Sequence, residues 1–201
     1  MARVPAILAN EFDRMLWVDP KQVLVNLRWL ELKLPQELDE KVRSLRTNQL
    51  KEWREAREAA LFAYGISTAA LEMPVKVTKA EKQDFDCVLR WTSDEGDHFF
   101  PVQLKELPPA EVNADVTLDD LFEKLSKYSG EKDLSVVISL NRRARIPLTP
   151  WLGVRRPRVK EVWYMGCESA DQSTWFLYGS VLEATPRKYR FRYPEGTPNV
   201  A

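Results

Sequence analysis

The sequence predicts an α/β fold, and three of its segments carry that prediction. From Glu37 to about Tyr64, apolar residues recur at three- and four-residue steps, as they do in an amphipathic helix. The segment 84–105 instead alternates apolar and polar residues around a glycine-containing turn, which indicates the two strands of a hairpin. The run 134–140 is nearly continuously apolar and has the length of a strand that is buried on both faces. A chain of 201 residues with these two periodicities is expected to form one α/β domain with extensions.

The charge of the chain is balanced in total but unevenly distributed. The 30 basic side chains equal the 30 acidic ones. Between Asn141 and Arg192, however, eleven Lys or Arg stand against four Asp or Glu, an excess of 11 − 4 = +7 that the remaining residues offset. This distribution suits a protein with an acidic, cation-binding end and a basic, anion-binding end; a basic edge that only faces solvent is the alternative.

Cysteine and histidine are too few to support a fold held by disulfides or by structural zinc. The chain has two cysteines, Cys87 and Cys167, and one histidine, His98. Its N-terminal apolar run is short for a signal peptide, and no segment approaches the roughly 18 apolar residues of a membrane span. We therefore expect a cytoplasmic protein with no membrane partner.

The expected organisation has three parts within a single domain. Residues 1–36 form an N-terminal extension, in which 21–34 fits a helix or a strand, with a helix preferred. Residues 37–145 form the core. Residues 146–201 form a β-rich C-terminal extension packed on that core, whose strands either continue the core sheet or make a small layer beside it.

The order of elements in the core is helix, strand, hairpin, helix, strand. A short strand is expected at Val75–Thr78, before the hairpin, and a helix begins near Thr117, which has acidic residues after it, as helix N-termini often do. A strand followed by a crossover helix and a buried strand implies parallel pairing. The core is therefore predicted to contain a mixed sheet.

The hairpin carries the polar residues of greatest interest. Side chains alternate across a strand, so Gln103 and Lys105 share one face, and Asp84 and Asp86 share a face of the preceding strand. A loop of two or four residues would place Gln103 or Lys105 opposite Asp86, at the open end of the hairpin. An odd loop without a bulge would separate these groups onto opposite faces.

These residues resemble the motif of the PD-(D/E)XK nuclease superfamily. That superfamily has an αβββαβ core with an acid on one strand and an acid-x-lysine on the next. The match here is Asp86, a gap of sixteen residues, and then Gln103-Leu104-Lys105. Glutamine in place of the second acid resembles the Gln-x-Lys variant of the Mrr-like restriction endonucleases. The resemblance covers about residues 38–140 and implies a restriction-endonuclease-like fold with an N-terminal helical extension and a C-terminal β extension.

The chemistry that the resemblance implies is hydrolysis of phosphodiester bonds assisted by Mg²⁺ or Mn²⁺. Mg²⁺ prefers hard oxygen ligands, which Asp86 and the side-chain oxygen of Gln103 can provide. The main-chain carbonyl of Leu104 is a further ligand by similarity to the family. Lys105 is expected to orient the attacking water and to stabilise developing negative charge. An exposed Asp86–Lys105 ion pair with no catalytic role is the alternative.

Members of the superfamily often add a glutamate from the first helix. Glu52, Glu55 and Glu58 are available, and projection at about 100° per residue places Glu52 at the border of the apolar face and Glu58 well away from it. Glu52 is therefore the predicted catalytic and metal-binding glutamate. The alternative is that all three pair in solvent with neighbouring arginines, while Glu72 and Asp84 are weaker substitutes.

A nuclease also needs cations for the phosphates of its substrate. The predicted nucleic-acid-binding residues follow the last core strand or lie in the proline-flanked loop before the next strand: Arg142, Arg143, Arg145, Arg155, Arg156, Arg158 and Lys160. In the last strand, the cations Lys188, Arg190 and Arg192 alternate with aromatic residues. The aromatic residues are expected to complete the core, and phosphate contact by these cations is left as a hypothesis.

Two main functional hypotheses follow. The first is a magnesium-dependent DNA endonuclease, with nucleic acid as partner and with a homodimer or a protein partner left open. The alternative is a nuclease-like fold that no longer cuts and acts as a nucleic-acid-binding or protein-interaction module. An unrelated α/β interaction protein is a third possibility.

Overall fold

The fold is described from a computed structural model, which describes residue 12 and residues 15–33, 50–82, 85–126, 133–142 and 156–199. Within these ranges, every helix is too short or too polar to cross a membrane. The described helices are α1 (Pro20–Lys33), α2 (Lys51–Gly65), which continues into a π-helical turn (Ile66–Ala70), and α3 (Leu118–Ser126).

The described strands form one seven-stranded sheet, and their order in the sheet follows their order in the chain. They are β1 (Lys76–Lys82), β2 (Phe85–Ser93), β3 (Gly96–Leu107), β4 (Ser135–Leu140), β5 (Glu161–Cys167), β6 (Thr174–Gly179) and β7 (Arg187–Arg192). The first three strands pair antiparallel, β3, β4 and β5 pair parallel, and β5, β6 and β7 pair antiparallel. The prediction of an α/β fold with a mixed sheet is thereby confirmed.

The hairpin of β2 and β3 has the even loop that the site requires. Ser93 pairs with Gly96, so only Asp94 and Glu95 form the loop. Gly96 has a φ of 109°, a conformation that glycine adopts without the steric cost of a side chain. From this turn the register runs without a shift to the pair Cys87 and Val102 at the open end of the hairpin.

The crossover between β3 and β4 is also as predicted. Helix α3 lies between them in the chain, and the two strands pair parallel from Val102 with Ser135 to Leu107 with Leu140. All six residues of β4 are buried, which agrees with its position in the middle of the sheet and with its apolar composition.

Each face of the sheet is covered by helices and has its own core. On one face, called here the α1–α2 face, the core includes Leu24 of α1, Phe62 of α2 and Trp163 of β5. On the opposite α3 face, Phe122 of α3 packs with strand residues such as Ile138. The sheet is thus the middle layer of a sandwich, as expected when both faces of its central strands are apolar.

Helix α2 confirms the predicted helix from Lys51 onward, while residues 37–49 lie outside the described part of the chain. Two positions on it differ from the predicted amphipathic pattern. Trp53, expected in the buried stripe, is 49% exposed, and Glu58, expected to point away from the core, is 9% exposed. The reason is that the helix is buried almost all round from Glu58 to Ala63, where it packs between the sheet and α1, so a single stripe does not describe it.

The C-terminal strands continue the core sheet, which was one of the two predicted alternatives. β5 pairs with β4, and β6 and β7 follow in order to the edge. Segment 21–34, for which a helix was preferred, is helical from Pro20 to Lys33. The aromatic residues of β7 complete the core as expected, because Phe191 is buried in the α1–α2 face and Tyr189 packs against it.

The start of α3 allows a direct test of the predicted N-cap. Thr117 Oγ1 accepts a hydrogen bond of 3.1 Å from the Asp120 N–H, and Asp120 Oδ2 accepts one of 2.9 Å from the Thr117 N–H. We expect Thr117→Ala to lower the free energy of unfolding by about 1 kcal/mol and Thr117→Ser to have a smaller effect, because serine retains the oxygen acceptor. Urea denaturation measures both variants, and equal stabilities for them would contradict the capping role.

Candidate active site at the open end of the hairpin

Asp86 lies near the start of β2, where β2 and β3 begin to separate. Extending the observed register by one residue from the pair Cys87 and Val102 places Asp86 opposite Gln103. In an antiparallel pair, opposed residues that do not exchange backbone hydrogen bonds bring their side chains closest together. Asp86 and Gln103 meet in this way, since the Gln103 side-chain amide donates a hydrogen bond to Asp86 Oδ2.

The carboxylate of Asp86 also accepts a hydrogen bond from a backbone N–H of β3. The Leu104 N–H donates to Asp86 Oδ2 over 2.7 Å. Both hydrogen bonds end on the same oxygen, and within the described residues no hydrogen bond reaches Asp86 Oδ1. One oxygen of the half-buried carboxylate therefore anchors the side chain, and the other is available to a ligand.

The carbonyl of Leu104 faces the same opening. In a strand paired antiparallel, the N–H and C=O of one residue point towards the same neighbouring strand. Because the Leu104 N–H reaches Asp86 on the β2 side, its carbonyl also points to that side. A main-chain oxygen therefore points towards the side of β3 on which the Asp86 carboxylate lies.

Gln103 is 8% exposed and holds its amide nitrogen towards Asp86. Rotation of the amide by 180° exchanges its nitrogen and oxygen without moving the rest of the side chain. The rotated amide would place its oxygen beside the carboxylate, an arrangement that needs a cation between the two oxygens. Gln103 can therefore donate a hydrogen bond to Asp86 when no metal ion is bound, or offer its oxygen to a metal ion after its amide rotates.

Lys105 lies two residues beyond Gln103 on the same strand and shares its face of the sheet. Its side chain is partly buried, and among the described residues it has no ion-pair partner. The alternative of an exposed Asp86–Lys105 ion pair is therefore not what the structure contains. An ammonium group without a fixed carboxylate partner is available to an anionic ligand.

A cavity of about 300 Å³ lies between α2 and the strands β1 to β3 and reaches the site. Asp86 and Leu104 line it together with Glu55 of α2. Its wall is completed by the apolar side chains of Val18, Val23, Ala56, Ala59, Val77, Ala80 and Cys87 and by Lys51 and Lys79. An apolar cavity with a few convergent charged groups is the usual form of a small-ligand or catalytic site.

The structure brings Glu55 to this cavity, and Glu52 is not among the residues that line it. The Glu52 side chain is 76% exposed and forms an ion pair of 3.4 Å with Lys79, whereas Glu55 lies at the cavity and pairs with Lys51 over 3.4 Å. The prediction was based on the first half of the helix, where Trp53 proved to be exposed. Glu55 is one turn before Ala59, so a projection from the buried second half would have selected it.

Of the substitutes considered from the sequence, Glu72 does not join the site. Glu72 is exposed, lies beyond the π-helical turn at a φ of 54°, and does not line the cavity. Asp84 lies outside the described residues. Cys87 faces the cavity but is buried, and burial together with the nearby Asp86 charge raises the pKa of its thiol, which therefore stays protonated and is a poor metal ligand.

The donors at the open end are oxygens, which Mg²⁺ prefers and which differ from the nitrogen and sulfur ligands common in transition-metal sites. Among the described residues, no three His, Cys, Asp or Glu side chains lie close enough together to hold a metal ion. Mg²⁺ is commonly held by only one or two carboxylates and keeps several waters. Asp86 Oδ1, the Leu104 carbonyl and, after rotation of its amide, Gln103 would supply oxygen donors of this kind.

The predicted nucleic-acid-binding cations that the structure describes do not lie together. The Arg142 guanidinium donates to the carbonyls of Pro108, Asn113 and Ala114, so it anchors the segment between β3 and α3. The described cations of the second group, Arg156, Arg158 and Lys160, precede β5 at the opposite end of β4, about 20 Å away for six strand residues. Lys160 lies over the Phe100 ring at 5.3 Å. Arg143, Arg145 and Arg155 lie outside the described residues.

The site thus joins Asp86, Gln103 and the Leu104 backbone by direct hydrogen bonds. Lys105 lies on the Gln103 face, which is the α3 face of the sheet, whereas Glu55 lies across the cavity on the α1–α2 face. In comparisons with known proteins, no family model, no curated protein and no solved structure matches this chain.

Proposed function

We propose that this chain is a metal-dependent nuclease of the PD-(D/E)XK kind, which hydrolyses phosphodiester bonds and acts on DNA as an endonuclease. The observation that supports it most is the meeting of Asp86 and Gln103 across the diverging ends of β2 and β3. A carboxylate with one uncommitted oxygen, an amide and a main-chain carbonyl converge there. These are the oxygen types that Mg²⁺ prefers.

The order of elements also supports the proposal. From α2 to β4, the described chain follows the order helix, three strands, helix, strand, with the acid near the start of the second strand and Gln103-Leu104-Lys105 in the third. This is the αβββαβ order of the superfamily, and the proposed restriction-endonuclease-like core rests on it. The N-terminal helix α1 and the C-terminal strands β5 to β7 are the additions to that core.

Asp86, Leu104 and Gln103 would hold Mg²⁺ or Mn²⁺, which when bound lowers the pKa of its water and polarises the scissile phosphate. The hydrogen bond from the Leu104 N–H to Asp86 Oδ2 keeps the carboxylate in position before any ligand arrives, whereas Gln103 would give up its hydrogen bond to Asp86 and rotate to offer its oxygen. The Lys105 ammonium, free of a fixed partner among the described residues, would stabilise negative charge that develops on the phosphate. Glu55, rather than Glu52, is the proposed acid from the helix, because it lines the same cavity as Asp86.

A second candidate is a nuclease-like protein that binds nucleic acid without cutting it. The observation that favours it is the position of Gln103, which fills the place of the second acid and donates a hydrogen bond to Asp86 without adding a second negative charge. A site with one carboxylate next to the presumed metal position attracts a divalent ion less strongly than one with two. The cytoplasmic location expected from the sequence fits either candidate, since Cys87 and Cys167 are both free.

The test combines plasmid cleavage with calorimetric titration of Mg²⁺ and Mn²⁺. The proposal predicts nicking or linearisation that requires the metal and stops in EDTA, and a binding heat that Asp86→Ala removes. Metal binding or DNA binding without turnover would support the second candidate. Absence of metal binding, DNA binding and cleavage together would exclude both.

A further inference from the structure

Edge strand β7 presents a line of cations on the α3 face of the sheet. Lys188, Arg190 and Arg192 follow one another at two-residue steps and therefore point to the same side. All three are exposed, whereas Phe191 between them is buried on the other face. Burial of the aromatic residues explains why β7 belongs to the sheet, but it does not explain why three cations follow one another on the exposed side.

The neighbouring strand adds two aromatic rings beside this line. Lys188 pairs with Tyr178, Arg190 with Phe176 and Arg192 with Thr174, and paired residues lie side by side on one face. Both rings are partly exposed, and the Lys188 ammonium lies 4.7 Å from the centre of the Phe176 ring. Cations interleaved with partly exposed rings on a sheet are a common surface for binding single-stranded nucleic acid.

Glu168 forms ion pairs with two of these cations and leaves some of their hydrogen-bond donors available. Its carboxylate binds the Lys188 ammonium through one oxygen and Arg190 Nε over 2.8 Å through the other. The pKa of Glu168 is lowered by these two hydrogen bonds, so it remains charged at neutral pH. The terminal guanidinium nitrogens of Arg190 and two further ammonium hydrogens of Lys188 remain available, and within the described residues Arg192 has no ion-pair partner.

The spacing of the three cations favours binding of a linear polyanion over binding of a compact anion. Successive cations on one face of a strand are separated by about 7 Å, so the three span roughly 13 Å. Such a row matches the repeated charges of an extended phosphodiester backbone better than a single phosphate, which would contact one cation at a time. We propose that β7, with the rings of Phe176 and Tyr178, binds the backbone of single-stranded nucleic acid.

This inference rests on the proposed function, because it names a surface on which the same nuclease would bind a single-stranded part of the nucleic acid on which it acts. β7 is four strands from β3, or about 19 Å across the sheet, so one strand of several nucleotides can engage both. The surface lies in the C-terminal strands, outside the core that holds Asp86. Its contribution should therefore be separable from that of the metal site.

The experiment measures fluorescence anisotropy of a labelled oligothymidine of about 20 nucleotides in EDTA at several salt concentrations. The triple variant Lys188→Gln, Arg190→Gln, Arg192→Gln should bind about tenfold more weakly and reduce the slope of log K against log salt by about 2, because three phosphate contacts are lost. The matched control Lys21→Gln, Lys33→Gln, Lys76→Gln changes charge equally on α1 and β1 and should leave the slope unchanged. The double variant Arg190→Gln, Arg192→Gln keeps the Lys188–Glu168 pair and provides the test if the triple variant folds poorly.

The outcomes separate this inference from the proposed function. Weaker binding in the triple variant, without any metal-dependent cleavage by the wild type, supports the β7 surface and rejects the nuclease. Metal-dependent cleavage by the wild type with identical affinity and salt slope in the triple variant overturns the β7 surface alone. Equal weakening in the control triple variant also overturns it, as does selective binding of polyglutamate or duplex DNA over the oligothymidine.

Discussion

Asp86→Asn will reduce metal-dependent cleavage of DNA by at least roughly a hundredfold, which corresponds to about 2.7 kcal/mol of transition-state stabilisation. Asparagine has the shape of aspartate, and its side-chain oxygen can still accept the hydrogen bond from the Leu104 N–H. The substitution therefore removes the charge that would hold the metal without removing the backbone anchor. Metal affinity measured by calorimetry should fall together with the cleavage rate.

Lys105→Met is expected to produce a loss of similar size with a different signature. The side chain has no ion-pair partner among the described residues, so its replacement should leave both folding and metal affinity nearly unchanged. A fall in the maximal rate with unaltered metal binding would match stabilisation of charge that develops on the phosphate. Single-turnover cleavage rates at saturating metal measure this directly.

The matched control for both variants is Asp94→Asn, in the two-residue loop at the other end of the same hairpin. This residue is exposed and far from the open end, so its charge should not affect cleavage. If Asp86→Asn cleaves DNA as fast as Asp94→Asn does, the proposed site is wrong even if the protein is a nuclease.

The geometry of the hairpin was predictable from the sequence because local chemistry determines it. The turn-forming residues from Ser93 to Asp97 restrict the loop, the even loop length sets the register, and the register puts Asp86 on the face of Gln103. The parallel pairing of β4 followed from the same kind of reasoning, since a crossover helix lies between β3 and β4.

The helix acid and the basic residues could not be predicted equally well, because their positions depend on tertiary packing. Glu55 reaches the cavity since α2 is rotated by its contacts with α1 and the sheet, which also bury Glu58 and expose Trp53. Arg142 and Arg158 are close in sequence but lie at opposite ends of β4. The reason is that β4 and β5 are parallel, so the chain must return to the end at which β4 begins before β5 can start. Sequence proximity of cations therefore says little about whether they share a surface.

Gln103→Glu will convert the site to the two-acid form, and its stability will then depend on metal and pH. The change removes the amide donor that binds Asp86 and puts a second carboxylate beside the first at a position that is 8% exposed. Without metal at pH 8, we expect the free energy of unfolding to fall by about 3 kcal/mol, because a buried hydrogen bond is replaced by repulsion between like charges. Divalent metal should restore much of this loss and bind at least about tenfold more tightly than in the wild type.

The pH dependence of this variant has a definite sign. On acidification, one of the two neighbouring carboxyl groups of the folded variant binds a proton more readily than an isolated carboxyl group does, and a hydrogen bond between them replaces the repulsion. A group that binds its proton more tightly in the folded state stabilises that state at low pH and loses this contribution as the pH rises. The deficit relative to the wild type should therefore be largest at alkaline pH and shrink on acidification. Gln103→Met, which removes the same donor without adding charge, should have a deficit that does not grow at alkaline pH, and metal should stabilise it less than it stabilises Gln103→Glu. Urea denaturation of the two variants with and without Mg²⁺ makes the comparison, and a Gln103→Glu protein as stable as the wild type at pH 8 in EDTA would show that Gln103 does not contact Asp86 in solution.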